Sequence, residues 1–141
     1  ADLANGIGNF AARVLALGEK HGEISGAVSE TIMDSIATAE KEVAEKTNAF
    51  RFHEALAAIF ELIAFGDAYV NEKKPWEKEQ SAKSKAQSVF DAVVILDAVA
   101  ELITPFLPTT AEKIHARITW SGEKKTSVRV KKGEVLFPRL R

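Results

Sequence analysis

The sequence predicts an all-α fold, an antiparallel bundle of about five helices with a short extended segment near the C-terminal end. Two observations support this prediction. Apolar residues recur three and four positions apart in several long runs, which is the period of an amphipathic helix. Proline, glycine and capping residues separate these runs. Because 141 residues is the length of a single domain, the runs should share one core.

The first helix is predicted at about residues 2–21, and Gly22 should close it. Its apolar residues are spaced by four, three, four and three positions: Leu3, Ile7, Phe10, Val14 and Leu17. Asn9 and Arg13 are four positions apart, so they lie on one face of this helix, beside the apolar stripe. The spacing alone favours a polar border residue at Asn9 and a weak surface ion pair at Arg13.

Two further helices are predicted at about residues 30–46 and 50–73, and Thr47-Asn48 should cap the latter. The helix at 50–73 has the widest apolar face, which predicts that it is the most buried of all. Gly66 in its interior costs about 1 kcal/mol relative to Ala. We therefore expect a neighbouring helix to approach closely at this position.

A proline and a tryptophan interrupt the chain at Lys73-Lys74-Pro75-Trp76-Glu77. Pro75 lacks a backbone N–H and its ring clashes with the preceding turn, so the third helix should end or kink at Lys74. Trp76 has two interpretations: a buried ring that closes the end of the bundle, or an exposed aromatic platform for a ligand with a flat face. Residue type alone favours burial, because large aromatic side chains are mostly buried.

The remaining helices lie beyond a polar connection at about residues 78–83. A fourth helix should end at Ile103, where Thr-Pro follows. A short fifth helix is predicted at about residues 110–118, with Thr109 and Glu112 forming a capping box.

The end of the chain should differ from the bundle. Residues 1–118 are predicted to hold the helices, and residues 119–141 a basic segment that packs back, within one domain. Val128 and Val130 alternate with polar residues, which is typical of an extended segment. A further apolar stretch at residues 135–137 suggests docking, either on this bundle or on another part of a longer chain. Such a longer chain is expected because the sequence does not begin with Met.

Charge is distributed unevenly, although the net charge is only −1. Residues 1–111 carry 10 Lys/Arg against 17 Asp/Glu, whereas residues 112–141 carry 9 against 3. A basic end on an acidic body is compatible with phosphate contact, with docking on an acidic surface, or with a simply solvated tail.

No catalytic centre is predicted. Cysteine is absent, so disulfides, Cys–metal sites and thiol catalysis are excluded. There is no glycine-rich phosphate loop, and His21, His53 and His115 are scattered without metal-ligand spacing, so no metal site is expected. No apolar run reaches about 18 residues and no signal peptide precedes the first helix, so we expect a cytoplasmic protein without a membrane partner. Elimination favours a binding or scaffolding module.

Four segments, in order along nearly the whole chain, carry a resemblance to one family. They are Gly8-Asn9-Phe10 with Arg13, residues 68–77, residues 103–111 and Leu136-Phe137-Pro138-Arg139. Together they resemble the anticodon-binding domain of methionyl-tRNA synthetase, a class I aminoacyl-tRNA synthetase. Other class I synthetases share the helical bundle, so these segments, rather than the fold, point to methionine.

The resemblance implies a site for the CAU anticodon loop of methionine tRNA. In the family the tryptophan after the proline stacks on an anticodon base, which assigns this role to Trp76 with Pro75. The matching residues Asn9 and Arg13 would line the same pocket and help to read the bases. RNA loops are read by stacking splayed bases on aromatic rings and by bonding the base edges, which agrees with these residue types. We also expect phosphate contacts from three nearby lysines: Lys73, Lys74 and Lys78.

The resemblance also implies a parent enzyme that joins methionine to its tRNA with ATP and Mg²⁺. The nucleotide-binding motifs of that catalytic domain are not present in this sequence, so this part alone should be inactive and should need no cofactor. The expected partners are methionine tRNA and the catalytic domain of the parent chain.

Two alternatives remain open. The chain could be the equivalent domain of another class I synthetase, which a change of anticodon would separate. It could also be a helical domain that binds protein and no RNA. The acidity of residues 1–111 favours this second alternative, because RNA affinity usually needs a basic surface. It predicts a buried Trp76.

Overall fold

The computed structural model describes residues 2–77, 81–121 and 127–130. Within these ranges the chain forms five helices and three short strands: α1 Asp2–His21, β1 Ile24–Ser25, α2 Glu30–Asn48, α3 Phe52–Lys73, α4 Ala82–Ile103, α5 Pro108–Ala116, β2 Ile118–Ser121 and β3 Ser127–Val130. The predicted all-α bundle of about five helices is confirmed. None of the helices in the described part is long and apolar enough to cross a membrane.

Helix α4 lies at the centre of the bundle. It packs against α1, α2, α3, α5 and β1, and eleven of its residues are buried, against seven of α3. The prediction that the third helix is the most buried was therefore wrong. Phe52, which the periodicity places in the apolar stripe of α3, is exposed at the N-terminal end of that helix.

The three strands form one small antiparallel sheet in the order β1-β3-β2. The extended segment predicted around Val128 is strand β3, which pairs Val128 with Ile24 and with Trp120. Neither partner strand, β1 or β2, was predicted from the sequence. The predicted fifth helix also extended to Ile118, whereas α5 ends at Ala116 and Ile118 begins β2. Ile118 is buried and Thr119 exposed, so the alternation typical of a strand was present but short.

The helix ends agree only partly with the predicted signals. Gly22 closes α1 as predicted, with φ 72° and its N–H donating to Gly18 O at 3.1 Å. The capping box was wrong, because α5 begins two residues earlier than predicted, at Pro108, whose fixed φ suits a first helical position. The Thr47-Asn48 cap was also wrong, since both residues form the last turn of α2.

Gly66 allows α1 to approach α3, as predicted. A Cβ atom at this position would lie 2.5 Å from Phe10 Cζ and 3.2 Å from Ile95 Cγ2. The Phe10 ring of α1 therefore fills the space that any other residue at position 66 would need. Through this contact α1 lies close to α3. Asn9 and Arg13 also belong to α1, so the same packing brings them near α3.

A buried carboxylate ties three helices together near the end of α3. Asp91 on α4 accepts hydrogen bonds from Ser29 N at 3.0 Å, Ser29 Oγ at 2.6 Å, Tyr69 Oη at 2.7 Å and Gln87 Nε2 at 3.1 Å. These donors satisfy a group that would otherwise be costly to bury. Burial, followed by the hydrogen bond to Asp91, raises the pKa of the Tyr69 hydroxyl. The last two turns of α3 are thereby fixed against α4.

Candidate nucleic-acid interface

The end of α3 is a tight turn that projects one aromatic side chain. Lys74 adopts a left-handed conformation with φ 46°, and its N–H donates to Val70 O at 2.9 Å. Such a conformation costs a non-glycine residue about 1–2 kcal/mol. Pro75 is buried beneath the turn, and Glu77 N donates to Lys74 O at 3.0 Å. The predicted end of the helix at Lys74 is confirmed.

Trp76 is exposed on this turn, with 45% of its surface accessible. The interpretation favoured by residue type alone, a ring buried at the end of the bundle, is therefore wrong for this structure. The residue before Trp76, Pro75, is buried. A half-exposed indole on a fixed turn is a surface on which a flat ligand can stack.

Arg13 of α1 reaches across to this turn. Its Cζ atom lies 5.5 Å from the centre of the Trp76 ring, within the range of a cation–π contact. Its Nη2 donates to Asn71 Oδ1 at 2.5 Å, and its Nη1 lies 3.7 Å from Asp67 Oδ1. The guanidinium group is thus held between the indole ring and one face of α3, rather than extending freely into solvent.

Asp67 and Asn71 are the two functional candidates that the sequence analysis missed as site residues. They are four positions apart on α3, so they present their side chains on one face toward Arg13. Burial raises the pKa of the Asp67 carboxyl, and the charge of Arg13 opposes this rise. Their spacing ahead of Pro75 is visible in the sequence, but only the packing of α1 against α3 reveals the partner.

Asn9 lies exposed on α1, four residues before Arg13. Four residues of α-helix advance about 6 Å, so the amide of Asn9 and the guanidinium of Arg13 are neighbours along one edge of the helix. Trp76, Arg13 and Asn9 together offer an aromatic face, a charged donor and an amide that both donates and accepts.

Two of the three predicted lysines, Lys73 and Lys74, lie within the described residues and make different contacts. Lys74 Nζ lies 3.8 Å from Glu77 Oε1 on the turn itself. Lys73 Nζ lies 5.7 Å from the centre of the Tyr69 ring. Two positions along a helix turn about 200°, so Lys73 and Asn71 point to nearly opposite sides of α3. Lys78 lies outside the described residues.

The comparisons with known proteins agree on one family. The model of the anticodon-binding domain of tRNA ligases matches residues 29–135. A methionine–tRNA ligase of Clostridium acetobutylicum is 32% identical over 99% of this chain and 25% of the relative. One of Bacillus mycoides is 27% identical over 99% of this chain and 27% of the relative. The chain therefore spans about a quarter of the length of these relatives.

The fold also matches solved structures. Methionyl-tRNA synthetase of Mycobacterium tuberculosis, in complex with methionyl-adenylate, superposes with a TM-score of 0.82 at 22% identity, over 99% of this chain and 32% of that one. The free form of the same enzyme gives a TM-score of 0.80 at 21% identity. These structures show the same fold, and the family model, which matches more than half of the residues, shows that this chain belongs to the family of anticodon-binding domains of tRNA ligases.

Proposed function

We propose that this domain recognises the CAU anticodon loop of methionine tRNA. The observation that carries the proposal is the exposed Trp76 ring with the Arg13 guanidinium held 5.5 Å from its centre. An indole face and a fixed cation are the groups that bind unstacked bases of single-stranded RNA. The relatives named as methionine–tRNA ligases support methionine as the amino acid of the tRNA.

The residues of the proposed site would have different roles in RNA binding. Stacking on Trp76 contributes about 1–3 kcal/mol per base but tolerates any base, because every base has a π face. Hydrogen bonds from Arg13 and Asn9 to base edges would add about 1–3 kcal/mol of discrimination. Pro75 is buried, so its part is to position Trp76 rather than to touch RNA. Of the two described lysines, Lys74 is the better placed to meet a phosphate, because it lies on the turn with Trp76.

We further propose that the parent enzyme joins methionine to this tRNA in an ATP- and Mg²⁺-dependent reaction in the cytoplasm. The catalytic domain that would bind ATP is not part of this sequence, so the 141-residue chain should bind the anticodon loop without aminoacylating it. The catalytic domain would be the second partner of this module.

An NMR titration with anticodon stem-loops at fixed low salt tests the proposal. We expect the CAU loop to bind more tightly than a loop whose first anticodon base is changed. Trp76→Ala should weaken CAU binding about tenfold or more, since that factor equals about 1.4 kcal/mol of lost stacking. Phe50→Ala is the matched control, because Phe50 is an aromatic residue that is 80% exposed near the opposite end of α3.

A protein-binding bundle is the second candidate function, favoured by the excess of acidic residues in residues 1–111. It predicts no preference between the two loops and no effect of Trp76→Ala on RNA binding. Equal, salt-sensitive binding of both loops by all variants would support this candidate and refute anticodon recognition. Tighter binding of a loop with another anticodon would instead indicate another class I synthetase.

A further inference from the structure

The carboxylate of Asp91 is fully buried on α4 and lies outside the Trp76 site. Its Oδ2 atom accepts two hydrogen bonds of nearly equal length, from Tyr69 Oη at 2.7 Å and from Ser29 Oγ at 2.6 Å. Tyr69 lies on α3, whereas Ser29 precedes the first residue of α2. Hydrogen bonds to a carboxylate are stronger than those between neutral groups. One oxygen atom therefore connects α4 both to the end of α3 and to the start of α2.

The end of α3 is bonded on both flanks of its buried face. Val70 is buried, and its two neighbours, Tyr69 and Asn71, are each turned about 100° away from it, in opposite senses. Tyr69 bonds to Asp91 on α4, and Asn71 accepts a hydrogen bond from Arg13 on α1. Bonds on both flanks prevent a helix from rolling about its own axis.

A roll of α3 would disturb the position of Arg13. Side chains extend about 5 Å from a helix axis, so a roll of about 20° moves their ends by roughly 2 Å. A shift of this size breaks a hydrogen bond, which requires donor and acceptor atoms within about 3.2 Å. Arg13 would then lose Asn71, the partner that holds its guanidinium 5.5 Å from the centre of the Trp76 ring.

The turn that carries Trp76 is joined to the same part of α3. Lys74 N donates to Val70 O at 2.9 Å, and Val70 follows Tyr69 directly. The roll of α3 at Tyr69 therefore also determines the direction of this turn. The residues of this connection lie within the described ranges, whereas the apolar stretch at residues 135–137, predicted to dock, lies outside them.

We propose that Asp91, through the hydroxyl of Tyr69, fixes the roll of α3 and thereby positions Arg13 against Trp76. Asp91 and Tyr69 are positioning residues, which act on RNA binding through the geometry of the Arg13–Trp76 pair. Where it concerns RNA, this role rests on the proposed function, but the pair is present in the free domain and can be observed there. Ser29 bonds to the same oxygen atom without contacting α3, so it should have no such role.

The test is Tyr69→Phe, which removes the hydroxyl and keeps the ring. In NMR spectra of the free 141-residue chain, nuclear Overhauser effects between Arg13 and the Trp76 ring report the contact. We expect them to weaken at least about twofold, because these effects fall steeply with a distance that a roll lengthens by roughly 2 Å. Affinity for the CAU stem-loop should fall about three- to tenfold, the factor that corresponds to one hydrogen bond.

The matched control is Ser29→Ala, which removes the other side-chain donor to the same Asp91 oxygen. The Ser29 side chain makes no capping hydrogen bond to α2, and each variant retains three of the four described bonds to Asp91. Circular dichroism checks that both variants are folded. Ser29→Ala should keep the Arg13–Trp76 signals and should bind the CAU loop within about twofold of the wild type.

Unchanged Arg13–Trp76 signals in Tyr69→Phe would overturn the proposal. An equal loss in Ser29→Ala would also overturn it, because it would show a general loosening of the bundle. Weaker signals with unchanged affinity for the CAU loop would refute the role in RNA binding. A wild type that does not distinguish the two loops would refute anticodon recognition, while the signals of the free chain would still decide whether Asp91 positions Arg13.

Discussion

At the residue scale, Arg13 is the connection between the two helices that form the candidate site. Its guanidinium contacts the Trp76 ring, Asn71 and Asp67 at once. The surface ion pair that the spacing suggested is therefore accompanied by a hydrogen bond and a cation–π contact. A hydrogen bond with one charged partner is stronger than a neutral one, but about a third of the Arg13 side chain is accessible, and solvent weakens the bond.

The contact between Arg13 and Asn71 predicts a measurable coupling. Arg13→Ala and Asn71→Ala should each lower the free energy of unfolding, and together by less than the sum, with a coupling of about 1 kcal/mol. Urea unfolding of the four proteins of a double-mutant cycle measures this quantity. Strictly additive effects would mean that the hydrogen bond contributes nothing to the folded state.

Tyr69 gives a second prediction at this scale, based on pH. Its pKa is raised in the folded protein, so the stability it contributes is fully present below the unfolded pKa of about 10 and is lost as pH rises through the folded value. Because it is the only tyrosine, phenolate absorbance follows this group alone. We expect ionisation at higher pH than in free tyrosine, accompanied by unfolding.

The control for this prediction is Tyr69→Phe, which removes the hydroxyl and its hydrogen bond to Asp91. The variant should be less stable at neutral pH by about 1–2 kcal/mol and should lose stability less steeply in alkali. An ordinary tyrosine titration without unfolding would show that the buried hydrogen bond is not maintained in solution.

At the element scale, the sequence predicted the helices well and the strands poorly. Helical periodicity is repeated over many residues, so the long runs locate α1 to α4 within a few residues. Strand β1 has only two residues, and its pairing with β3 joins positions about a hundred residues apart, which no local pattern reveals. The candidate site was also predicted only in part. The family resemblance pointed to Asn9, Arg13 and Trp76, whereas Asp67 and Asn71 could be recognised only from the packing of α1 on α3.

Two helical glycines give a matched prediction at this scale. Gly66→Ala should destabilise the bundle by about 1–3 kcal/mol, because its methyl group would clash with the Phe10 ring. Gly6→Ala meets Phe60 only at 3.4 Å, so the gain in helix propensity of up to about 1 kcal/mol should leave it neutral or more stable. Thermal unfolding of both variants measures the difference, and equal effects would contradict the close approach of α1 and α3.

At the scale of the whole molecule, an excess of acidic residues in residues 1–111 is combined with a proposed RNA-binding site. The proposed Trp76 site would bind RNA by stacking and by a few directed bonds, so it would not need a broadly basic surface. We therefore expect CAU-loop affinity to fall less with salt than about 10³-fold between 50 and 200 mM, the loss typical of proteins with many phosphate contacts. Titrations at the two salt concentrations measure this ratio.

The fluorescence of Trp76 itself reports directly on whether an anticodon base stacks on this ring. The chain has two tryptophans, so Trp120→Phe, which keeps an aromatic ring beside Phe90, leaves Trp76 as the only indole. Addition of the CAU stem-loop to this variant should quench the Trp76 emission, because a base stacks on its ring, and a loop with changed first base should quench it less at equal concentration. Binding of the CAU loop without any change in Trp76 emission would contradict the account.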